Sequence, residues 1–231
     1  ENGRTEAVSY KNPSDKPFIG TECVHTWHVR GSYRTQTWYR DGFKKGRTLD
    51  IPDLTEREIF HYDWTDSHSY KRCFNSSYDN STVRDNVRHF ELKTQNNDWL
   101  SGSYRWTAFD YIGEAGYISG GWPFKLFNSG VIDMANFPKD AYYLYKSLWT
   151  DGAKEPMVHI LPHWTHPKMP EGTEIPVHVY SNCQEVKLYC NGENLGLQEL
   201  DVSRWDKMNG EWLVPWEPSE IKAEGYIDGE L

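Results

Sequence analysis

The sequence predicts two architectures in series: an α/β segment over residues 1–153 and an all-β sandwich of immunoglobulin type over residues 154–231. The division rests on a change of period. Strand-like and helical signals alternate up to Gly152, whereas beyond it apolar residues recur at every second position and turns follow one another without a helix. Size agrees, since 231 residues with 37% hydrophobic content are material for about one and a half ordinary domains.

Pro17 to Glu22 (PFIGTE) reads as a short buried strand that ends in polar residues. From Lys44 to Ser81 the chain is polar, aromatic-rich and weakly periodic, closer to a long loop with short helices than to a core element. A helix is expected from Val83 to Leu92, where Val83, Val87 and Phe90 fall at i, i+4 and i+7. Trp99 to Tyr111 reads as a second buried strand running into a loop, which Gly113, Gly116, Gly120 and Gly121 keep irregular as far as Trp122-Pro123. Pro138 then opens a helix that ends near Trp149, with Asp140 at the positive end of its dipole. Ala141, Leu144, Tyr145 and Leu148 make its apolar face. Strands are expected from Val158 to Leu161, Ile175 to Tyr180, Glu185 to Cys190, Glu193 to Gly196, Trp212 to Val214 and Ile221 to Ile227. Asn191-Gly192 between the third and fourth is the strongest short hairpin signal. The chain ends just after the last strand, so one or two strands of a complete sandwich are expected beyond Leu231. Cys183 and Cys190 flank one strand. At ~3.3 Å per residue they stand about 20 Å apart, beyond the ~7 Å reach of a disulfide.

Lys plus Arg is 25 and Asp plus Glu is 34, a formal charge of −9, which does not suit a surface that grips phosphates; nucleic acid is not an expected partner. No apolar run approaches the ~18 residues of a membrane-spanning helix, and the N-terminal ENGRTEAVSY has no signal-peptide pattern. Four cysteines make no disulfide scaffold. Eleven Trp, 15 Tyr and 9 Phe suit either an aromatic core or a groove in which flat rings stack on a sugar.

Glu22 is the most suggestive single residue. A carboxylate at the C-terminal end of a buried strand stands where barrel enzymes keep catalytic groups, although the same residue suits a loop cap or a pair with Arg30. A second cluster runs from Trp106 to Tyr111, again at a strand end, with Glu114 in the glycine-rich loop behind it. His163 and His166 have a spacing that metals use, but no Cys or carboxylate constellation accompanies them. They are expected as surface histidines, with no metal or other cofactor. His25 and His28 are read as loop residues, and Asn75-Ser76-Ser77 and Asn80-Ser81-Thr82 match glycosylation acceptors.

Gly20-Thr21-Glu22, Arg30-Gly31-Ser32-Tyr33 eight residues later, GSYRWTAFDYIGE at 102–114 and GVIDMANFPKDAYYLYKSLW at 130–149 together resemble the glycoside hydrolases of family 2. The likeness is closest to their β-galactosidase-like bacterial members. PMVHILPHW at 156–164 and VYSNCQEVKLYCNGENLG at 179–196 are similar to the domain that follows the barrel in those enzymes. The resemblance implies the C-terminal portion of a (β/α)8 TIM barrel followed by the sandwich. It also implies retention through a covalent glycosyl-enzyme, with two carboxylates ~5–5.5 Å apart. Glu22 falls on the nucleophile at the end of strand seven, GSYRWTAF on strand eight and the Pro138 helix on the last barrel helix. Trp106 falls on the tryptophan that seats the sugar, and a cis Trp106–Thr107 peptide is implied with it. Asp110 and the loop from Tyr111 to Asp133 are implied to line the same pocket.

The family's acid/base glutamate follows an Asn at the end of strand four. This chain has no Asn-Glu pair, and about 150 residues precede the sandwich where a barrel needs ~250. The proton donor is therefore expected outside the chain, in the missing N-terminal part of the same enzyme, its expected partner. The implied substrate is a terminal β-D-galactoside, in a bacterial setting in the periplasm or outside the cell. β-Glucuronidases of the family carry an Asn-x-Lys element, which is absent here. A non-catalytic carbohydrate-binding module is the rival from another class, in which Glu22 has no chemical task.

Overall fold

The computed structural model describes residues 16–22, 30, 87–114, 125–166 and 171–231. These fall into two units that divide between Lys139 and Asp140. In the first, β1 (Phe18–Gly20) pairs in parallel with β2 (Leu100–Ser103), Phe18 opposite Leu100 and Gly20 opposite Ser103. Parallel strands need a crossover connection, and α1 (Val87–Gln95) lies between them in sequence and packs on β2. Val87 and Phe90 of α1 are buried together with Leu100, and Phe18 meets Trp99 edge-on at 5.8 Å. The Asn97 amide donates to the Lys93 carbonyl, an acceptor that the helix end leaves open, and the Thr94 hydroxyl bonds back to the Phe90 carbonyl four residues earlier. The described helix runs three residues past the expected end at Leu92, and Val83 lies outside the described residues.

The second strand is far shorter than its apolar run suggested. The Tyr104 amide still donates to the Gly20 carbonyl (2.8 Å), but beyond it the backbone turns to a different partner, residues 129–132. Two short antiparallel strands follow, β3 (Tyr111–Ile112) and β4 (Leu126–Phe127), with Tyr111 opposite Phe127.

The second unit is a helix and two antiparallel sheets. α2 (Asp140–Trp149) begins two residues after Pro138. Ala141, Leu144 and Tyr145 are buried as expected, but Ser147 joins them while Leu148 is only half-buried. One sheet has the order β5 (Val158–Leu161), β6 (Glu174–Ser181), β9 (Gly210–Pro215). The other has the order β10 (Ile221–Tyr226), β7 (Glu185–Cys190), β8 (Glu193–Glu199). β7 alternates buried and half-buried residues, as a strand with one wet face should. In β6 every residue after Glu174 is buried, because α2 covers the face that would otherwise be wet. The sheets approach closely at glycines. A Cβ on Gly225 would lie 2.6 Å from Cys183 Sγ and 2.8 Å from Val158, and one on Gly210 would lie 2.8 Å from Val186. The β7–β8 hairpin turns through Asn191 and Gly192 at φ 49° and 81°, the paired positive values that Asn-Gly readily adopts.

His166 is not the surface residue its loop position suggested: it is 1% exposed, its ring tilted against that of His163 at 4.4 Å and edge-on to Trp216. The indoles of Trp164 and Trp216 tie this loop down, donating to Ser219 Oγ and the Trp164 carbonyl, and the fixed loop buries the histidine. Cys183 and Cys190 are both free and buried. Among the described residues no helix is long and apolar enough to cross a membrane.

Candidate active site

Because β1 and β2 run in parallel, their C-terminal ends open on the same edge, the position where parallel α/β sheets keep their ligands. Glu22 stands two residues past β1 and is half-buried. Tyr104 and Trp106 stand at the corresponding end of β2, with Trp106 45% exposed. The Trp106–Thr107 peptide is cis, as the resemblance implied. Tyr111 stands beside Trp106. Its hydroxyl accepts the Trp106 indole N–H at 3.1 Å and donates to Glu114. Burial first, and the Glu114 hydrogen bond second, raise its pKa to about 12, and Glu22 adds to the shift, so Glu22 lies within electrostatic reach of this hydroxyl.

The segment carrying Trp106 is clamped from behind. Thr107 N–H donates to the Ser129 carbonyl at 3.4 Å, Val131 N–H to Ala108 at 3.1 Å and Asp110 N–H to Ile132 at 2.9 Å. The Arg105 guanidinium also reaches the Ser129 carbonyl. Asp110 itself is buried, and its Oδ1 accepts Lys139 Nζ at 2.7 Å and the Gly130 amide at 2.9 Å. Gly130 is required by this close approach, since a Cβ there would lie 2.2 Å from the Asp110 nitrogen. Burial pushes the Asp110 carboxyl up and the Lys139 ammonium down, while their mutual attraction opposes both shifts. The carboxylate that was expected to line the pocket thus faces the frame that supports Trp106.

Arg30 is held elsewhere than at Glu22. Its Nε donates to Asp133 Oδ2 at 3.2 Å and its guanidinium lies 4.5 Å over the Phe137 ring. Burial alone would raise the Asp133 carboxyl, but the amides of Phe137 and Ala135 and the Arg30 guanidinium hold it below its ordinary value. His25, His28, both glycosylation matches and the glycines at 116, 120 and 121 lie outside the described residues. Among the described residues, no group of three His, Cys, Asp or Glu side chains converges as a metal site. Lys139 escaped the sequence reading because its local pattern, Pro-Lys-Asp at a helix start, says nothing about a carboxylate 29 residues away.

A carboxylate and a half-exposed indole on one sheet edge are the equipment for attack at a sugar carbon and for stacking on its ring. Residues 172–231 match a family model described as a domain of unknown function, DUF4982. The whole chain is 49% identical to a putative β-glucuronidase of Formosa agariphila, of which it spans 22%. It is 36% identical, over 95% of its length, to a β-galactosidase of Bacteroides ovatus, of which it spans 23%. A crystal structure of a β-glycosidase from Bacteroides vulgatus superposes with a TM-score of 0.68 at 42% identity, covering 92% of this chain and 26% of that one. The chain therefore spans about a quarter of the relatives it matches, and with them it belongs to glycoside hydrolase family 2.

Proposed function

We propose that this chain supplies the nucleophile and the sugar platform of a retaining exo-glycosidase that hydrolyses terminal β-D-galactosides. The observation that carries the reading is the shared sheet edge, where Glu22 stands at the end of β1 and Trp106 at the end of β2, with Tyr111 in reach of both. In this reading β1 and β2 are the seventh and eighth strands of a (β/α)8 barrel, and the remaining strands belong to a longer protein. The shares of 22% and 23% of the two curated relatives support that. Glu22 attacks the anomeric carbon as the bond to the leaving oxygen breaks, and a glutamate elsewhere in the longer protein delivers the proton to that oxygen. Water then reverses the sequence: it attacks the glycosyl-enzyme, gives its proton to the same glutamate and frees Glu22 with net retention.

The galactoside reading is supported by the Bacteroides ovatus relative and by the absence of an Asn-x-Lys element in this sequence. A second reading, cleavage of β-glucuronides, is favoured by the β-glucuronidase names of the Formosa agariphila relative at 49% identity and of a further one at 33%. Aryl β-galactoside and aryl β-glucuronide, offered separately to the full-length enzyme, decide between them by kcat/KM. Glu22→Gln in the same enzyme should lower kcat by at least about a thousandfold while the fold persists, because a neutral amide cannot form the ester intermediate. A first-formed product of inverted configuration, seen by NMR, would overturn the retaining mechanism. Wild-type turnover by Glu22→Gln would return the chain to the binding-module reading.

A further inference from the structure

The Tyr111 hydroxyl has one proton to give and lone pairs to receive with, and both capacities are used within the site. Its proton goes to Glu114, and the Trp106 indole N–H donates to its oxygen at 3.1 Å. The direction of donation is fixed, since an indole nitrogen accepts nothing and a carboxylate has no proton. Positive φ at Gly113 (113°) and Glu114 (48°) folds the chain back, so that the carboxylate reaches a hydroxyl three residues upstream. The Tyr111 ring is braced by Phe127 at 5.4 Å on one side and meets the indole edge-on at 6.1 Å and 84° on the other. The indole, by contrast, is 45% exposed, so packing alone does little to hold its plane.

We propose that Tyr111 and Glu114 are positioning residues, which fix the plane of the Trp106 indole so that a sugar stacked on it meets Glu22. The inference rests on the glycosidase reading above. By accepting the Tyr111 proton, the Glu114 carboxyl group makes the phenolic oxygen a better acceptor for the indole N–H, and this bond anchors the chain at its outer end. A platform held in one orientation before binding spares the complex the cost of ordering it.

The test uses the full-length enzyme and whichever aryl glycoside it turns over. Tyr111→Phe removes only the hydroxyl and should raise KM up to about tenfold, the range of one hydrogen bond, with kcat within about threefold of wild type. Glu114→Ala should do the same, and Glu114→Gln, which keeps an acceptor, should restore most of the affinity. Trp106→Phe should cost more. The double variant Tyr111→Phe with Trp106→Phe should show the KM of Trp106→Phe alone, because Tyr111 acts through the indole. Additive effects would overturn the proposal, as would an unchanged KM in Tyr111→Phe, whether or not the melting temperature falls. If Tyr111→Phe does not fold, Glu114→Ala and its pairing with Trp106→Phe measure the same coupling, and additivity there overturns the proposal equally. Failure here leaves the glycosidase reading intact, since that reading is tested separately, by the turnover of Glu22→Gln and the configuration of the first-formed product.

Discussion

Asp110 and Lys139 form an ion pair whose side chains are 5% and 1% exposed, and taking two charges out of water is expensive. The opposite pKa directions of the two groups record that cost, with desolvation leading in each. The pair is retained in a place where it also gives the Gly130 amide an acceptor, and so joins residues 105–110 to the segment behind them. Lys139→Met would leave an uncompensated carboxylate in the interior and should lower stability by about 3–5 kcal/mol, read as a shift in the urea unfolding curve. Adding Asp110→Asn, which keeps an acceptor for Gly130 without the charge, should recover most of the loss. A Lys139→Met protein as stable as wild type would show that the site readily admits water. At this scale the sequence pointed to Glu22, Trp106 and Asp110 because each sits at or just after a strand end. It could not indicate what each one faces. Asp110 meets Lys139, Arg30 meets Asp133, and Trp106 meets Tyr111, and the first two of these contacts join residues far apart in the chain.

In the sheet β10–β7–β8, cross-strand neighbours on one face gather around Glu224. Its carboxylate accepts the Tyr189 and Tyr226 hydroxyls at 2.9 and 2.7 Å and the Lys222 ammonium at 2.5 Å, while Lys187 lies 5.1 Å over the Tyr226 ring. Lys222 first, then the two hydroxyls, pull the Glu224 pKa from 4.5 to about 2. By linkage, a carboxylate whose folded pKa is depressed stabilises the fold fully above 4.5, and that contribution fades as pH falls towards 2. Glu224→Gln should therefore flatten the pH dependence of stability between those values. An unchanged acid limb, followed by thermal melting, would show that other carboxylates control it. β7 and the turn after it were legible to the residue, because strict alternation and Asn-Gly are local signals, whereas β8 runs to Glu199, three residues past its expected end at Gly196. β6 was legible as a strand but not in its burial, since α2 covers its second face and takes His178 and Tyr180 into the interior. The length of β2 was misread because Trp99 to Tyr111 is apolar enough for a strand, whereas its backbone finds partners in residues 129–132 after Tyr104.

Across the molecule, the strands beyond the change of period near residue 150 form two antiparallel sheets, as a β-sandwich does, but the unit that holds them begins earlier, with α2 at Asp140. The first unit presents two parallel strands among its described residues, and its relation to a whole barrel could not come from a stretch that covers about a quarter of its relatives. Within the sandwich, the free thiols of Cys183 and Cys190 stand at the two ends of β7, the central strand of its sheet, and both are buried. A thiol reacts as the exposed thiolate, so neither can be alkylated until the sheets part. With Cys23 and Cys73 replaced by Ser, both should resist an added maleimide in native buffer and become reactive together as urea approaches the unfolding midpoint. Prompt labelling of Cys190 alone would reveal fraying at the hairpin end. The two sulfurs thus serve as a pair of clocks, timing separately how often each end of one strand comes open.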